Sequence, residues 1–180
     1  MKLRYTLCFV KDRETDSLLM LLRNHPPRRG LWNGLGGKIE AGELPARSIL
    51  REVHEEAGLA LTEFRFVGTV TWEGVPEAGG SGGMYVYLAD LPAGIDRETL
   101  RGKITDEGVL DWLPVRAVTK RGLLPVVENL PEFLPDMLAL RETPARRPWH
   151  YHCTYADDTL ARVERRTLAP TLIRRAERFV

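Results

Sequence analysis

The chain has 180 residues, 43% of them hydrophobic and 28% charged, with a formal net charge of +1. That size suits one globular domain with its own core. The near-balance of 26 Lys+Arg against 25 Asp+Glu excludes a general polyanion binder, which needs a basic excess, but leaves open a small anionic substrate held by a few residues and a metal.

In chain order, "LRYTLCFV" (3–10) and "SLLMLLR" (17–23) are short apolar runs separated by the polar turn "KDRETD". They predict two strands of a hairpin or meander. "NHPPRRGLWNGLGG" reads as a loop, because paired prolines and repeated glycines suit neither periodic state. A helix is predicted over 45–57, with Pro45 in its first turn and Gly58 just past its end. Strands follow at "FRFVGTVTWEG" (64–74) and "GMYVYLADL" (83–91), with "VPEAGGSGG" between them read as a flexible loop. "EGVLDWLPV" (107–115) predicts another strand. "LLPVVENLPEFLPDMLALRE" predicts a helix bounded or interrupted by its prolines. "WHYHCTYADDTLARVERR" predicts a hairpin turning at Ala156–Asp157–Asp158. The tail, 167–180, reads as a short amphipathic helix or a frayed end. Strands outnumber helices, so the expected class is α+β, with one domain over 1–166.

Cys8 and Cys153 lie far apart, without the CxxC or Cys/His spacing of a zinc site; two buried free thiols are expected. The N-terminal apolar run is too short for a signal peptide and is cut by Lys11–Asp12–Arg13. No segment approaches the roughly 18 apolar residues of a bilayer span. The expectation is a cytoplasmic protein, monomer or homodimer, with no membrane and no nucleic acid polymer as partner.

Within the predicted helix, Ala46, Leu50, Val53 and Ala57 recur at four, three and four residues and predict one apolar stripe. Glu52, Glu55 and Glu56 fall at i, i+3 and i+4, on a neighbouring face. Like charges at that spacing repel by a few tenths of a kcal/mol per pair, and they sit where the helix dipole disfavours negative charge. A divalent cation reverses that sign, since Mg²⁺ takes carboxylate oxygens together with substrate phosphates. A solvated acidic face paired with Arg47 and Arg51 is the other reading. Gly34, Gly36 and Gly37, just upstream, leave the backbone free for close approach of a ligand.

Gly37, five residues, Glu43, seven residues, then Arg51–Glu52–Val53–His54–Glu55–Glu56–Ala57–Gly58–Leu59 resembles the signature box of the Nudix hydrolase superfamily at every fixed position. The resemblance implies a mixed sheet sandwiched between helices, with Mg²⁺ or Mn²⁺ at the box helix. It implies Glu52, Glu55, Glu56 and the Gly37 carbonyl as metal ligands, and an Arg51–Glu43 ion pair that orients the glutamates. The implied reaction is attack of water on a phosphorus of a nucleotide, with pyrophosphate or a nucleotide leaving. Glu55 and Glu56 are candidate bases. In "ITDEGVLDW", Glu107 is a candidate extra ligand or base, with Asp106 beside it.

The run "GLWNGLGGKIEAGE" is similar to the animal-type 8-oxo-dGTP diphosphatases. That similarity implies a base-reading role for Asn33, stacking by Trp72, and Arg23 in the same pocket; Lys38 could touch phosphate, and Gly36 lies in the approach loop. The chain departs from that subfamily at Pro27, where an aromatic is usual, and in "NLPEFLPDM", where Glu132 is the candidate replacement for a base-reading acid. Three functions follow: a nucleoside triphosphate pyrophosphohydrolase that releases monophosphate and pyrophosphate and acts on oxidised purine nucleotides such as 8-oxo-dGTP, a hydrolase of ADP-ribose (to which Pro76 points) or of dinucleoside polyphosphates, and a non-catalytic nucleotide sensor.

Overall fold

The fold is taken from a computed structural model that describes residues 2–142 and 147–179. Its strands are β1 (Tyr5–Asp12), β2 (Ser17–Arg23), β3 (Trp32–Asn33), β4 (Phe64–Val75), β5 (Gly80–Asp90), β6 (Ile104–Thr105), β7 (Gly108–Pro114), β8 (Trp149–Ala156) and β9 (Thr159–Thr167). Its helices are α1 (Pro45–Ala57), α2 (Val115–Thr119), α3 (Leu130–Glu142) and α4 (Pro170–Glu177). All strands join one sheet in the order β6-β7-β2-β1-β5-β4-β8-β9, with β3 on β2. The sheet is mixed: β1 runs parallel to β5 and β4 parallel to β8, and the other pairs are antiparallel.

The near-continuous apolar runs of β1 and β2 are explained by burial on both faces. In β1, Leu7 and Phe9 point into one core with Val118, Phe133 and Met137 of α2 and α3. Cys8 and Val10 point into the other with Ile49 and Val53 of α1 and Ala176 of α4. Helices therefore cover both faces. Cys8 and Cys153 lie in opposite cores, both free and buried.

α1 keeps its predicted bounds. Pro45 opens it, and Gly58 closes it at φ 76 with its N–H donating to the His54 carbonyl at 2.8 Å. Its buried stripe differs from expectation: Ile49 takes the centre, Leu50 moves to the edge, and Glu56 is buried. α3 runs through Pro135. Leu130, Phe133, Leu134, Met137 and Leu140 are all essentially inaccessible, and their burial at roughly 1.5–3 kcal/mol each outweighs a proline cost of about 3 kcal/mol. The β8–β9 turn is Asp157–Asp158, both at positive φ, as a two-residue hairpin with matching twist requires.

Three elements depart from the sequence expectations. "VPEAGGSGG" is not a long loop: β4 and β5 extend into it and leave only a 3₁₀ turn at Pro76–Ala78. Gly82 is needed there, because a Cβ would stand 2.4 Å from the Trp72 ring. The tail, by contrast, takes the helical one of its two expected forms, as α4. α4 docks on α1, Tyr87 Oη donates to the Ala176 carbonyl at 2.8 Å, and Phe179 meets Phe64. β3 and α2 form where a loop and a strand end were expected. No helix among the described residues is long and apolar enough to cross a membrane.

The sheet opens at one place. β1 and β2 pair only between Val10–Asp12 and Ser17–Leu19. Beyond that they diverge, and residues 32–39 fill the gap, bonded to β2 through Trp32 and Asn33 and to β1 through Leu35 and Lys38. The glycine-rich segment is thus a wedge in a split sheet, facing α1.

Candidate active site

A cavity of about 650 Å³ opens beside that wedge. Its acidic end holds Glu52, Glu56 and Glu107, together with Gly36 and Gly37. Arg4, Arg23 and Lys38 also line it, and Trp72, Met84, Val127 and Tyr155 give it an apolar wall. Nine of the sequence-selected residues meet there: Glu52, Glu56, Glu107, Asn33, Arg23, Lys38, Trp72, Gly36 and Gly37. Arg51 and Glu55 do not line it.

Gly36 and Gly37 make the acidic end possible. Gly36 sits at φ 142, where a Cβ would stand 2.2 Å from the Thr6 carbonyl oxygen. Its N–H donates to Glu56 Oε2 at 2.8 Å. A Cβ on Gly37 would stand 2.5 Å from the Glu52 carboxylate. The Gly37 carbonyl accepts the Thr6 N–H at 2.9 Å and keeps a second lone pair.

The three helix glutamates separate. Glu56 is 6% exposed, the Glu52 side chain 14%, and the Glu55 side chain 57%. Burial pushes the Glu56 carboxyl up to about 8; the Gly36 hydrogen bond opposes this, and the negative charges of Glu52 and Glu107 add to it. Burial also raises Glu52, against the pull of Arg51.

Arg51 organises this end from outside the cavity. Its Nε and Nη2 donate to the two Glu43 oxygens, each at 3.0 Å. Nη1 donates to Glu52 Oε1 at 2.9 Å and Glu55 Oε2 at 3.0 Å, and Nη2 also reaches the Lys38 carbonyl at 3.2 Å. The Arg51 hydrogen bonds hold the Glu43 carboxyl below its ordinary range.

Glu107 arrives on the β6–β7 turn. Asn24 N–H donates to the Glu107 carbonyl at 3.0 Å, and Asn24 Nδ2 to the Asp106 carbonyl at 3.1 Å. That ties the turn to the 24–30 loop, while the Asp106 side chain does not line the cavity. Glu132 does not replace a base-reading acid: it lies outside the cavity and pairs with Arg121 at 2.7 Å. Pro76 opens a turn and does not line the cavity either.

Among the lining residues not singled out from the sequence are Arg4, Arg28, Asn129 and Tyr155. Arg28 stacks over the Tyr155 ring at 5.0 Å, with its Nε 3.3 Å from Glu128. Among the described residues, five buried side-chain atoms lack a hydrogen-bond partner. Arg28 Nη2, Trp72 Nε1 and Asn129 Oδ1 belong to this cavity. Each costs about 1–3 kcal/mol unless something pairs with it. Asn33 is partly engaged, because its Oδ1 accepts the Gly34 N–H at 2.9 Å. That is a local turn bond, and it leaves the NH₂ group and a second lone pair on Oδ1 free.

The NUDIX domain family matches residues 1–137. An octanoyltransferase of Myxococcus xanthus is 43% identical over 54 residues, 30% of this chain and 15% of that protein. An uncharacterized Nudix hydrolase of Bacillus subtilis, YvcI, is 28% identical over 133 residues, 73% of this chain and 78% of that one. The chain thus spans a small part of the first relative and most of the second. A MutT protein from Bacillus halodurans has the same fold, with a TM-score of 0.62 at 23% identity, covering 90% of this chain and 96% of that one. With the family match running from the split strands through the glutamate helix to α3, the chain belongs to the Nudix hydrolase family.

Proposed function

We propose that the protein is a divalent-metal-dependent nucleoside triphosphate pyrophosphohydrolase, releasing a nucleoside monophosphate and pyrophosphate. The observation that carries this reading is the make-up of this cavity: carboxylates at one end, Arg4, Arg23 and Lys38 along it, and an aromatic and apolar wall around Trp72. A nucleoside triphosphate needs that combination of anion neutralisation and ring packing.

The donor set fits Mg²⁺ or Mn²⁺ in kind. Glu52, Glu56, Glu107 and the Gly37 carbonyl are hard oxygen donors. The raised Glu56 carboxyl marks a place short of positive charge. Among the described residues, no three His, Cys, Asp or Glu side chains converge to hold a cation as they stand. Arg51 holds Glu52, and the Gly36 N–H holds Glu56, so Glu52 and Glu107 have to turn inward. The exposed Glu55 reaches the cavity edge only by leaving Arg51. When bound, the ion supplies Lewis-acid polarisation of phosphate and water.

The protein's own residues do the rest. Lys38, Arg23 and Arg4 neutralise phosphate oxygens. Glu56 or Glu107 accepts the proton of a water that attacks phosphorus, and the phosphoanhydride bond to pyrophosphate breaks. Arg51 sets the orientation of Glu52 through the Glu43 pair.

A substrate panel tests this reading. The purified protein with Mg²⁺ is expected to release pyrophosphate from ribo- or deoxynucleoside triphosphates, including 8-oxo-dGTP. AMP from ADP-ribose without pyrophosphate from any triphosphate would move the assignment to a nucleoside diphosphate hydrolase. Ligand-induced stabilisation with no turnover would move it to a sensor.

A further inference from the structure

The turn that carries Glu107 has little apolar burial to hold it. Asp106 and Glu107 join β6, which is only Ile104–Thr105, to β7 at the edge of the sheet. β6 pairs with β7, Ile104 is 82% exposed, and both turn residues are exposed. So short an edge strand adds little stability by itself. Yet Glu107 lines the same cavity as Glu52 and Glu56, and a group that serves there has to be held to within about 0.5 Å.

Polar bonds from two directions take the place of burial. On the β2 side, the Asn24 N–H donates to the Glu107 carbonyl at 3.0 Å and Asn24 Nδ2 to the Asp106 carbonyl at 3.1 Å. His25 Nε2 lies 3.1 Å from the same Asp106 carbonyl; a carbonyl only accepts, so the ring nitrogen donates. Asn24 thus grips two successive carbonyls of the turn. Arg23, just before it, pairs with Gly108, where a Cβ would stand 1.9 Å from the Leu22 carbonyl oxygen. The turn is therefore pressed against the end of β2. The segment that grips it also brings Pro27 and Arg28 to the cavity wall.

On the other side, Lys103 Nζ donates to the Ala57 carbonyl at 3.0 Å. Ala57 directly follows Glu56, and its carbonyl is one of those that a helix end leaves open. The Lys103 carbonyl in turn accepts the Leu110 N–H at 2.9 Å. The lysine joins the base of the Glu107 hairpin to the last turn of the glutamate helix, and its charge suits that helix end.

Resting on the reading of the cavity as a hydrolase site in which Glu107 serves, we propose that Asn24 and Lys103 are positioning residues for the reaction: together they fix the place of Glu107 relative to Glu52 and Glu56. Neither lines the cavity, so each acts through Glu107. Both are exposed, so the fold tolerates their loss.

The test uses Asn24→Ala and Lys103→Met, each alone and combined with Glu107→Gln, with dGTP and dATP as substrates. Salt at about 0.3 M screens the lost lysine charge. Each single variant is expected to lower kcat by about tenfold with KM changed less than about twofold, between the loss of one hydrogen bond and the cost of a misplaced group. Combined with Glu107→Gln, the same substitutions should cost nothing further, because the group they position is gone. Lys103→Arg, which keeps a donor for the Ala57 carbonyl, should restore most of the activity. In the metal-free protein, amide exchange at Gly108 and Leu110 should quicken by at least about fivefold in both single variants, with urea midpoints close to the wild type's. Losses that add in full to that of Glu107→Gln, unchanged kcat and exchange, or a Glu107→Gln variant as active as the wild type would each overturn the positioning role and leave the hydrolase reading intact. Faster exchange in the variants, with neither nucleotide hydrolysed by the wild type, would overturn the hydrolase reading and with it the purpose of the two residues.

Discussion

Glu56→Gln is expected to lower kcat by about 10³-fold, the scale of losing a positioned general base or charge-bearing ligand, while making the metal-free protein more stable in alkali. The second half of that result is the diagnostic one. The Glu56 carboxyl is buried, its pKa is raised to about 8, and it faces the negative charges of Glu52 and Glu107. A carboxyl whose pKa is raised on folding favours the folded state while it is protonated. That contribution is fully present below the unfolded value near 4.5 and is lost as pH rises through about 8. Ionised Glu56 therefore destabilises the metal-free fold by an amount on the order of 2–4 kcal/mol. Glutamine keeps an oxygen for the Gly36 N–H but carries no charge. With a chelator present, the variant and the wild type should denature at similar urea concentrations near about pH 5. The variant should be the more stable near about pH 9. A wild type equal to or above the variant at the alkaline end would show that Glu56 is not a buried charge awaiting a cation.

Arg51→Met should act in the opposite direction on stability. Arg51 makes hydrogen bonds to Glu43, Glu52, Glu55 and the Lys38 carbonyl. Glu43 and Glu52 have side chains only 14% exposed. Removing the guanidinium leaves both without their cation. Truncating one partner of a fully buried pair costs about 3–5 kcal/mol, and of an exposed pair about 1 kcal/mol or less. This partly buried network falls between them, at about 2–3 kcal/mol. The loss should shrink at acid pH, where Glu43, whose carboxyl is held low by Arg51, takes up a proton. Activity should fall with stability, because Glu52 loses the contact that sets its orientation. A variant with wild-type denaturation midpoints across the pH range would remove Arg51 from this role.

The bounds of α1 were legible because Pro45 and Gly58 are local signals that need no tertiary context. The Asp157–Asp158 turn was legible for the same reason. The Glu52, Glu55 and Glu56 spacing was legible as a cluster, but not as a graded one. Only the wedge of residues 32–39 in the split sheet explains why Glu56 is buried while Glu55 faces water. "VPEAGGSGG" misled because its glycines look like loop signals, whereas Gly82 makes room for the Trp72 ring. Arg28 and Asn129 carried no local signal at all. Their places in the cavity wall depend on the 24–30 loop and the start of α3 both reaching it, which is a property of topology. The Glu132 suggestion failed because its neighbour in space is Arg121, eleven residues earlier in the chain, not the cavity.

Calorimetric titration of the purified protein with Mn²⁺, alone and with an α,β-methylene triphosphate present, addresses the carboxylate cluster most directly. Saturable uptake is expected, tighter with the triphosphate analogue, and weakened by at least about tenfold in Glu52→Gln, since each carboxylate ligand carries a large share of the affinity. Absence of Mn²⁺ uptake by the wild type under both conditions, at protein concentrations where nucleotide binding is measurable, would contradict the assignment of Glu52, Glu56 and Glu107 as the seat of a catalytic cation.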